Sequence, residues 1–209
     1  MKRFFVLLLL LTLFIFVSAL SYVNAVSTDI ADSVFRLHVI ANSDSEEDQS
    51  LKLKVRDELL SYMNTLAKDC TSKEEVVALA KEHQEEFKKI AEQVICDNGF
   101  SYPVNIQIGD SDFPTKTYGD ISLPAGTYDA LRVQVGEAKG KNWWCVMFPP
   151  LCFVDVTTGI VPEDSKKIMK ESLSEEEYDL ISNSSNSDTQ FKFKIVEVLQ
   201  NFSISGIFM

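Results

Sequence analysis

Residues 36–60, RLHVIANSDSEEDQSLKLKVRDELL, constrain the fold more than any other stretch, because a strand, an acidic turn and a capped helix follow one another without a linker. Val34, Phe35, Leu37, Val39 and Ile40 surround only Arg36 and His38, a pattern that predicts a largely buried strand. The polar run from Asn42 to Gln49 ends it. Ser45, with Asp48 three positions on, fits a helix N-cap, and Asp44, Glu46, Glu47 and Asp48 put negative charge at the partially positive end of that helix. Leu51, Val55, Leu59, Met63 and Leu66 then recur at helical spacing and give it one apolar face.

A second helix is expected from Ser72, whose partner Glu75 completes a capping box, to about Asp97, where Asn98-Gly99 stops it. Val76, Leu79, Ala80, His83, Phe87, Ile90, Val94 and Ile95 form its buried face. The short linker 67–71 predicts an antiparallel hairpin with the first helix. Val104, Ile106 and Ile108 alternate with polar residues, so a half-buried strand enters through Pro103 and leaves at Gly109-Asp110. Residues 111–129 read as a loop with a short strand at Tyr118 to Leu123, and alternation returns at Leu131, Val133 and Val135. The near-continuous apolar run Trp143 to Phe148 reads as a strand, buried on both faces if it is central. Pro149-Pro150 breaks it. Glu163 to Leu180 reads as an acidic helix, Ser182 to Thr189 as a polar loop, and Phe191 to Leu199 as a last amphipathic element, taken as a helix. The expected class is α+β: an N-terminal strand, a helix hairpin on a mixed sheet, and a C-terminal helical segment.

The first 25 residues read as a signal peptide. Lys2 and Arg3 form the positive region, Phe4 to Val17 is apolar except for Thr12, and Val23-Asn24-Ala25 supplies small residues for cleavage after Ala25. A helix of that apolar stretch is roughly 20 Å long against a hydrocarbon core of roughly 30 Å. Extension through Ala19, Leu20, Tyr22 and Val23 gives the other reading, an uncleaved anchor. Either way residues 26–209 form one extracytoplasmic domain, with a core at 33–155 and an extension at 156–209. Without the leader 18 basic residues face 31 acidic ones, a net charge of −13. Phosphate backbones and anionic lipid repel such a domain, so nucleic acid is not an expected partner.

Four cysteines in an exported chain allow three pairings. Cys70 and Cys96, near opposite ends of one expected helix, are about 39 Å apart and too far to bridge. Cys145 and Cys152 flank Phe148-Pro149-Pro150, where a chain reversal brings them together; reduced, buried packing is the alternative. Only two histidines occur, His38 and His83, with no ligand spacing, so no metal or other cofactor is expected. A secreted cysteine hydrolase would have to pair Cys145 or Cys152 with His38, yet the flanking Trp144, Val146, Leu151 and Phe153 would bury the thiol and raise its pKa. Ser43 beside His38 and Asp44 lists the residue types of a triad without its geometry. The acidic run at 44–48 lacks the alternating ligands and glycine of a calcium loop.

Two stretches, RLHVIANSDSEEDQSLKLKVRDELL at 36–60 and NWWCVMFPPLCFVD at 142–155, resemble the stage II sporulation protein R family. The likeness covers residues 33–155, and 156–209 matches weakly. It implies a signalling protein exported from the forespore into the space between forespore and mother-cell membranes. There it would activate a membrane-embedded aspartic protease, stage II sporulation protein GA, which cleaves the precursor of sigma factor E. A ligand of that kind needs surface rather than catalysis, so no active-site residue, nucleic acid or small-molecule substrate is implied. Arg36, His38, Asn42, Asp44 and Asp48, polar groups at a strand end beside a helix N-terminus, are the candidate partner-binding residues, together with the turn Phe148, Pro149 and Pro150. Fixing the turn and cap is the alternative role for the first five. A tethered extracytoplasmic scaffold is the remaining functional alternative.

Overall fold

The apolar run around residue 37 forms β1 (Phe35–Ile40), all six residues of which are buried. Around it a computed structural model describes residues 2–152 and 161–182. β1 pairs in parallel with β5 (Gly126–Val135) and antiparallel with β6 (Asn142–Phe148), and β2 (Val104–Phe113) pairs antiparallel with β5. The sheet order is therefore β2-β5-β1-β6. With its helices it makes an α+β fold, as expected.

One face of the sheet is covered by α2 (Glu46–Leu66), α3 (Lys73–Glu82) and α4 (Gln84–Asp97). Leu37, Val39, Leu131 and Met147 meet Leu51, Val55, Leu59 and Phe87 there. Each such side chain contributes about 1.5–3 kcal/mol by leaving water. Both expected caps form: Ser45 Oγ accepts the Asp48 N–H at 3.1 Å and Ser72 Oγ that of Glu75 at 3.3 Å. The other face packs Ala130 and Val146 against Ile30, Val34, Met169, Tyr178 and Ile181. These come from the end of α1 (Lys2–Asp32), from α5 (Glu163–Ser172) and α6 (Glu175–Ser182), and from the segment leading into β1. A hairpin of β3 (Lys116–Tyr118) and β4 (Ile121–Leu123) adds Ile121 and Leu123 to this second core.

Several expectations are corrected. The helix read as continuous from 72 to 97 breaks at His83, whose backbone (φ −98°, ψ 16°) leaves the helical region while its Nδ1 lies 3.0 Å from the Tyr62 hydroxyl. α4 then lies along α2 while α3 reaches β1. The strand expected to stop at Gly109-Asp110 continues to Phe113, because Gly109 holds a φ of 153° and the backbone keeps its partner, β5. β5 starts five residues earlier than Leu131, and among the described residues the run Trp143 to Phe148 is an edge strand. Both its faces are still covered, by Met147 in one core and Val146 in the other. The acidic helix at 163–180 is two helices, because Ser174 and Glu177 form a new capping box at the start of α6. The loop 182–189, the element at 191–199 and the border at 155–156 lie outside the described residues except for Ser182, which ends α6.

α1 carries an exposed apolar window, Lys2–Ala19, long enough by composition to cross a membrane, and continues through Ala25 into the domain. Ile30 is 0% exposed in the second core. Lys73, only 8% exposed, pairs with Asp129 at 2.8 Å and donates to the Ala31 carbonyl at 3.3 Å, tying α3, β5 and the end of α1 together.

Candidate functional site

Residues paired across a sheet share a face, so the register says what Arg36 and His38 meet. Leu37 pairs with Leu131 and Cys145 on the helix side; His38 pairs with Arg132 and Trp144 on the other, and Gln107 extends that row. Arg36 lies one row below, opposite Ala130 and Val146.

Arg36 is 0% exposed. Its guanidinium carbon sits 3.9 Å from the centroid of the Phe113 ring and 4.6 Å from that of Tyr128. Nη2 donates to the Tyr118 hydroxyl at 2.8 Å, which donates in turn to the Trp144 carbonyl at 3.2 Å. Nε and Nη1 have no partner. A buried cation is thus held by aromatic faces in place of a carboxylate. Burial raises the pKa of the Tyr118 and Tyr128 hydroxyls, with Arg36 opposing, so both stay protonated. Tyr128 donates to the Pro124 carbonyl at 2.6 Å.

His38 is 7% exposed and stacks on Trp144, ring centroids 5.6 Å apart and planes 18° from parallel. Its Nε2 lies 2.8 Å from Asn142 Oδ1. Burial holds its pKa below the ordinary 6.5; the Asn142 contact opposes this, and the charges of Arg132 and Arg36 add to it. Lys116 Nζ lies 4.8 Å from the centroid of the Trp144 ring. Arg132 Nε and Trp144 Nε1 are buried without a partner. Each buried donor left so costs about 1–3 kcal/mol.

Asn42, Asp44 and Asp48 form a separate network. Asp48 accepts from Asn42 Nδ2 at 2.8 Å and from Ser43 Oγ at 2.6 Å. Burial pushes its carboxyl up, but the bonds from Ser43 and Asn42, with Tyr102 beside it, outweigh that and lower its pKa. Asn42 Oδ1 accepts the Glu137 N–H at 3.0 Å, and Asp44 Oδ1 that of Lys141 at 2.6 Å. Lys52 Nζ donates to the Lys141 carbonyl at 3.0 Å. The loop 136–141 is thereby folded against the start of α2, and Gly140 is required there because a Cβ would overlap the Ser43 carbonyl. These three residues position a turn; only Asp44 of them is exposed.

Phe148 and Pro149 are buried and Pro150 is exposed. Cys145 and Cys152 are joined in a disulfide with Cα atoms 5.2 Å apart, and Ser165 Oγ donates to the Pro150 carbonyl at 2.9 Å. The hydrolase pairings do not assemble: Cys145 is oxidised and on the opposite face of the sheet from His38, and the Ser43 hydroxyl is committed to Asp48. Among the described residues no three His, Cys, Asp or Glu side chains form a group able to hold a metal ion.

The structure therefore brings Arg36 and His38 together and keeps Asn42, Asp44, Asp48 and the Phe148–Pro150 turn apart from them. Phe113, Lys116, Tyr118, Tyr128, Arg132 and Trp144 were not singled out as site residues by sequence reasoning. The parallel pairing of β1 with β5, which gathers them, leaves no local signal.

These features define an α+β domain carried behind an apolar helix that fits a signal peptide or a membrane anchor. The chain belongs to the stage II sporulation protein R family, whose family model matches residues 31–158. It is 41% identical over 130 residues to stage II sporulation protein R of Bacillus subtilis (strain 168). The alignment covers 62% of this chain and 58% of that relative's length. No solved structure matches the chain. Family membership supports a role in sporulation.

Proposed function

We propose that this chain is an intercompartment signal of endospore formation that leaves the forespore and acts by docking. Its partner is the extracytoplasmic face of a membrane-embedded aspartic protease, stage II sporulation protein GA. Docking shifts that protease to its active state, and the protease cleaves the sigma-E precursor. The observation that carries this reading is the family match over 31–158 behind an apolar leader helix. The lack of an assembled nucleophile and base at His38, Cys145 and Ser43 is consistent with a ligand rather than an enzyme. Co-expression with the cognate protease and the sigma precursor should yield the processed factor, and deleting residues 1–25 should abolish processing. Absence of cleavage in a competent system, or cleavage that survives the deletion, counts against the reading.

The uninterrupted course of α1 through Ala25 favours a variant of this proposal in which the leader is retained and tethers the domain. The mass of the exported protein decides it, since cleavage leaves Val26 as the first residue.

A further inference from the structure

The second face of the sheet concentrates cations and N–H donors in a chain whose net charge is −11. In the row Gln107, Arg132, His38, Trp144 no member is acidic, and Arg36 lies directly below. Lys116 reaches in over Trp144 from the β3–β4 hairpin. The carboxylates of the neighbouring strands, Asp110, Asp112 and Asp129, alternate onto the helix side with Leu131. Among the described residues none of Arg36, Lys116 and Arg132 makes an ion pair, and buried N–H groups of Arg36, Arg132 and Trp144 have no acceptor. Other enclosed cations have partners: Lys73 has Asp129, Lys166 has Asp120, and buried Lys52 donates to Gln49 Oε1 and to the Lys141 carbonyl. A cluster of like charges, Arg36 fully buried and Arg132 and Lys116 half-buried, without a counter-ion is unfavourable alone and is completed by an acceptor-rich, negative partner.

We propose that the row formed by Arg132, His38 and Trp144, with Lys116 at its rim and Arg36 beneath, is a docking surface for an acidic segment of a partner polypeptide. The identity of that partner rests on the docking reading above; the chemistry of the surface does not. A carboxylate of the segment accepts from the guanidinium of Arg132, a half-buried residue, a second pairs with Lys116, and the Trp144–His38 stack forms an aromatic wall beside them.

Trp143 and Trp144 are the two tryptophans, and their side chains face opposite cores, so one can report while the other is removed. The full chain carrying W143F, in a non-ionic detergent, is titrated with acetyl-Asp-Glu-Asp-Glu-amide while Trp144 emission is followed. A saturable change, weakened by salt and weakened about tenfold by R132Q, is expected, as for loss of one charge-assisted hydrogen bond. K116Q, at a half-buried position, gives a second variant should R132Q fail to fold. The W144F chain should show no change. No response, an equal response to a tetralysine peptide or to inorganic phosphate, or binding of phosphatidylglycerol vesicles through the same reporter overturns the inference. So does a Trp144 shift produced without peptide by D155N, D188N or E197Q, because the chain's own carboxylate would then fill the surface. Intact protease activation by a variant that has lost the peptide overturns the protease as the occupant of this surface and spares the activator reading. Peptide binding without activation supports the surface and refutes the activator.

Discussion

Arg36 offers the sharpest test of how this domain is held together. Replacing it with Met keeps a side chain of similar length in a site that is 0% exposed. The change loses the hydrogen bond to Tyr118, worth about 1.5–3 kcal/mol for a charged donor. It also loses the stacking on Phe113 and Tyr128, about 1–2 kcal/mol for each desolvated ring. Against that, Nε and Nη1 no longer sit buried and unpaired, which returns about 1–3 kcal/mol each. The Tyr118 hydroxyl is not stranded, because it still donates to the Trp144 carbonyl. At the middle of these ranges the losses exceed the gains by about 1 kcal/mol, so R36M should be only mildly destabilising. R36A opens a cavity among Phe113, Tyr118 and Tyr128 and should cost about 3–5 kcal/mol. Urea unfolding followed by tryptophan fluorescence, with the disulfide kept oxidised, separates the two by midpoint at constant slope. If R36M is as damaging as R36A, a counter-charge holds the guanidinium and the reasoning above fails.

Three further outcomes follow from the same packing. Ile30→Ala should cost about 2–5 kcal/mol, because that residue of α1 is wholly inside the second core; a cost near zero in urea unfolding would show that the end of α1 is not part of the domain. Stability should fall in two steps on acidification. His38 is held neutral with a lowered pKa, so unfolding takes up a proton below the ordinary 6.5. Asp48 has a lowered pKa, so its contribution is intact above the ordinary 3.8 and is lost as pH falls through the folded value. In D48N the lower step should vanish from a plot of unfolding midpoint against pH, and its persistence would remove Asp48 from the account. Reducing the Cys145–Cys152 disulfide, whose cysteines are seven residues apart, should lower stability by about 2.5 kcal/mol on the chain-entropy estimate. Unfolding with and without reductant measures it, and no difference would mean that the turn is held by Leu151, Pro150 and Ser165 alone.

Local chemistry made much of this domain legible in advance. Ser45, Ser72 and their i+3 partners mark helix starts because caps act over three residues. The six-residue apolar run of β1 announces a buried strand, and Leu51, Val55, Leu59 and Met63 name their own face. The break at His83 was hidden because its periodicity continues across it, and only Tyr62 and the path of α4 along α2 require the bend. The place of β6 in the sheet was open for a related reason: an edge strand covered on both faces has the same apolar pattern as a central one. At the candidate site, Arg36 and His38 stood out as polar residues in an apolar strand, but what surrounds them did not.

Composition and periodicity, which are properties of neighbours along the chain, determined the apolar N-terminal helix, the capped start and apolar face of α2, the excess of acidic residues and the class of fold. Tertiary structure alone decided that Arg36 is enclosed by Phe113, Tyr118 and Tyr128, that Arg132 and Trp144 flank His38, and that Asn42 and Asp48 serve a loop almost a hundred residues away. Those meetings depend on strand order and register, which arise from the competition of whole surfaces for burial and leave no mark in any short window of sequence.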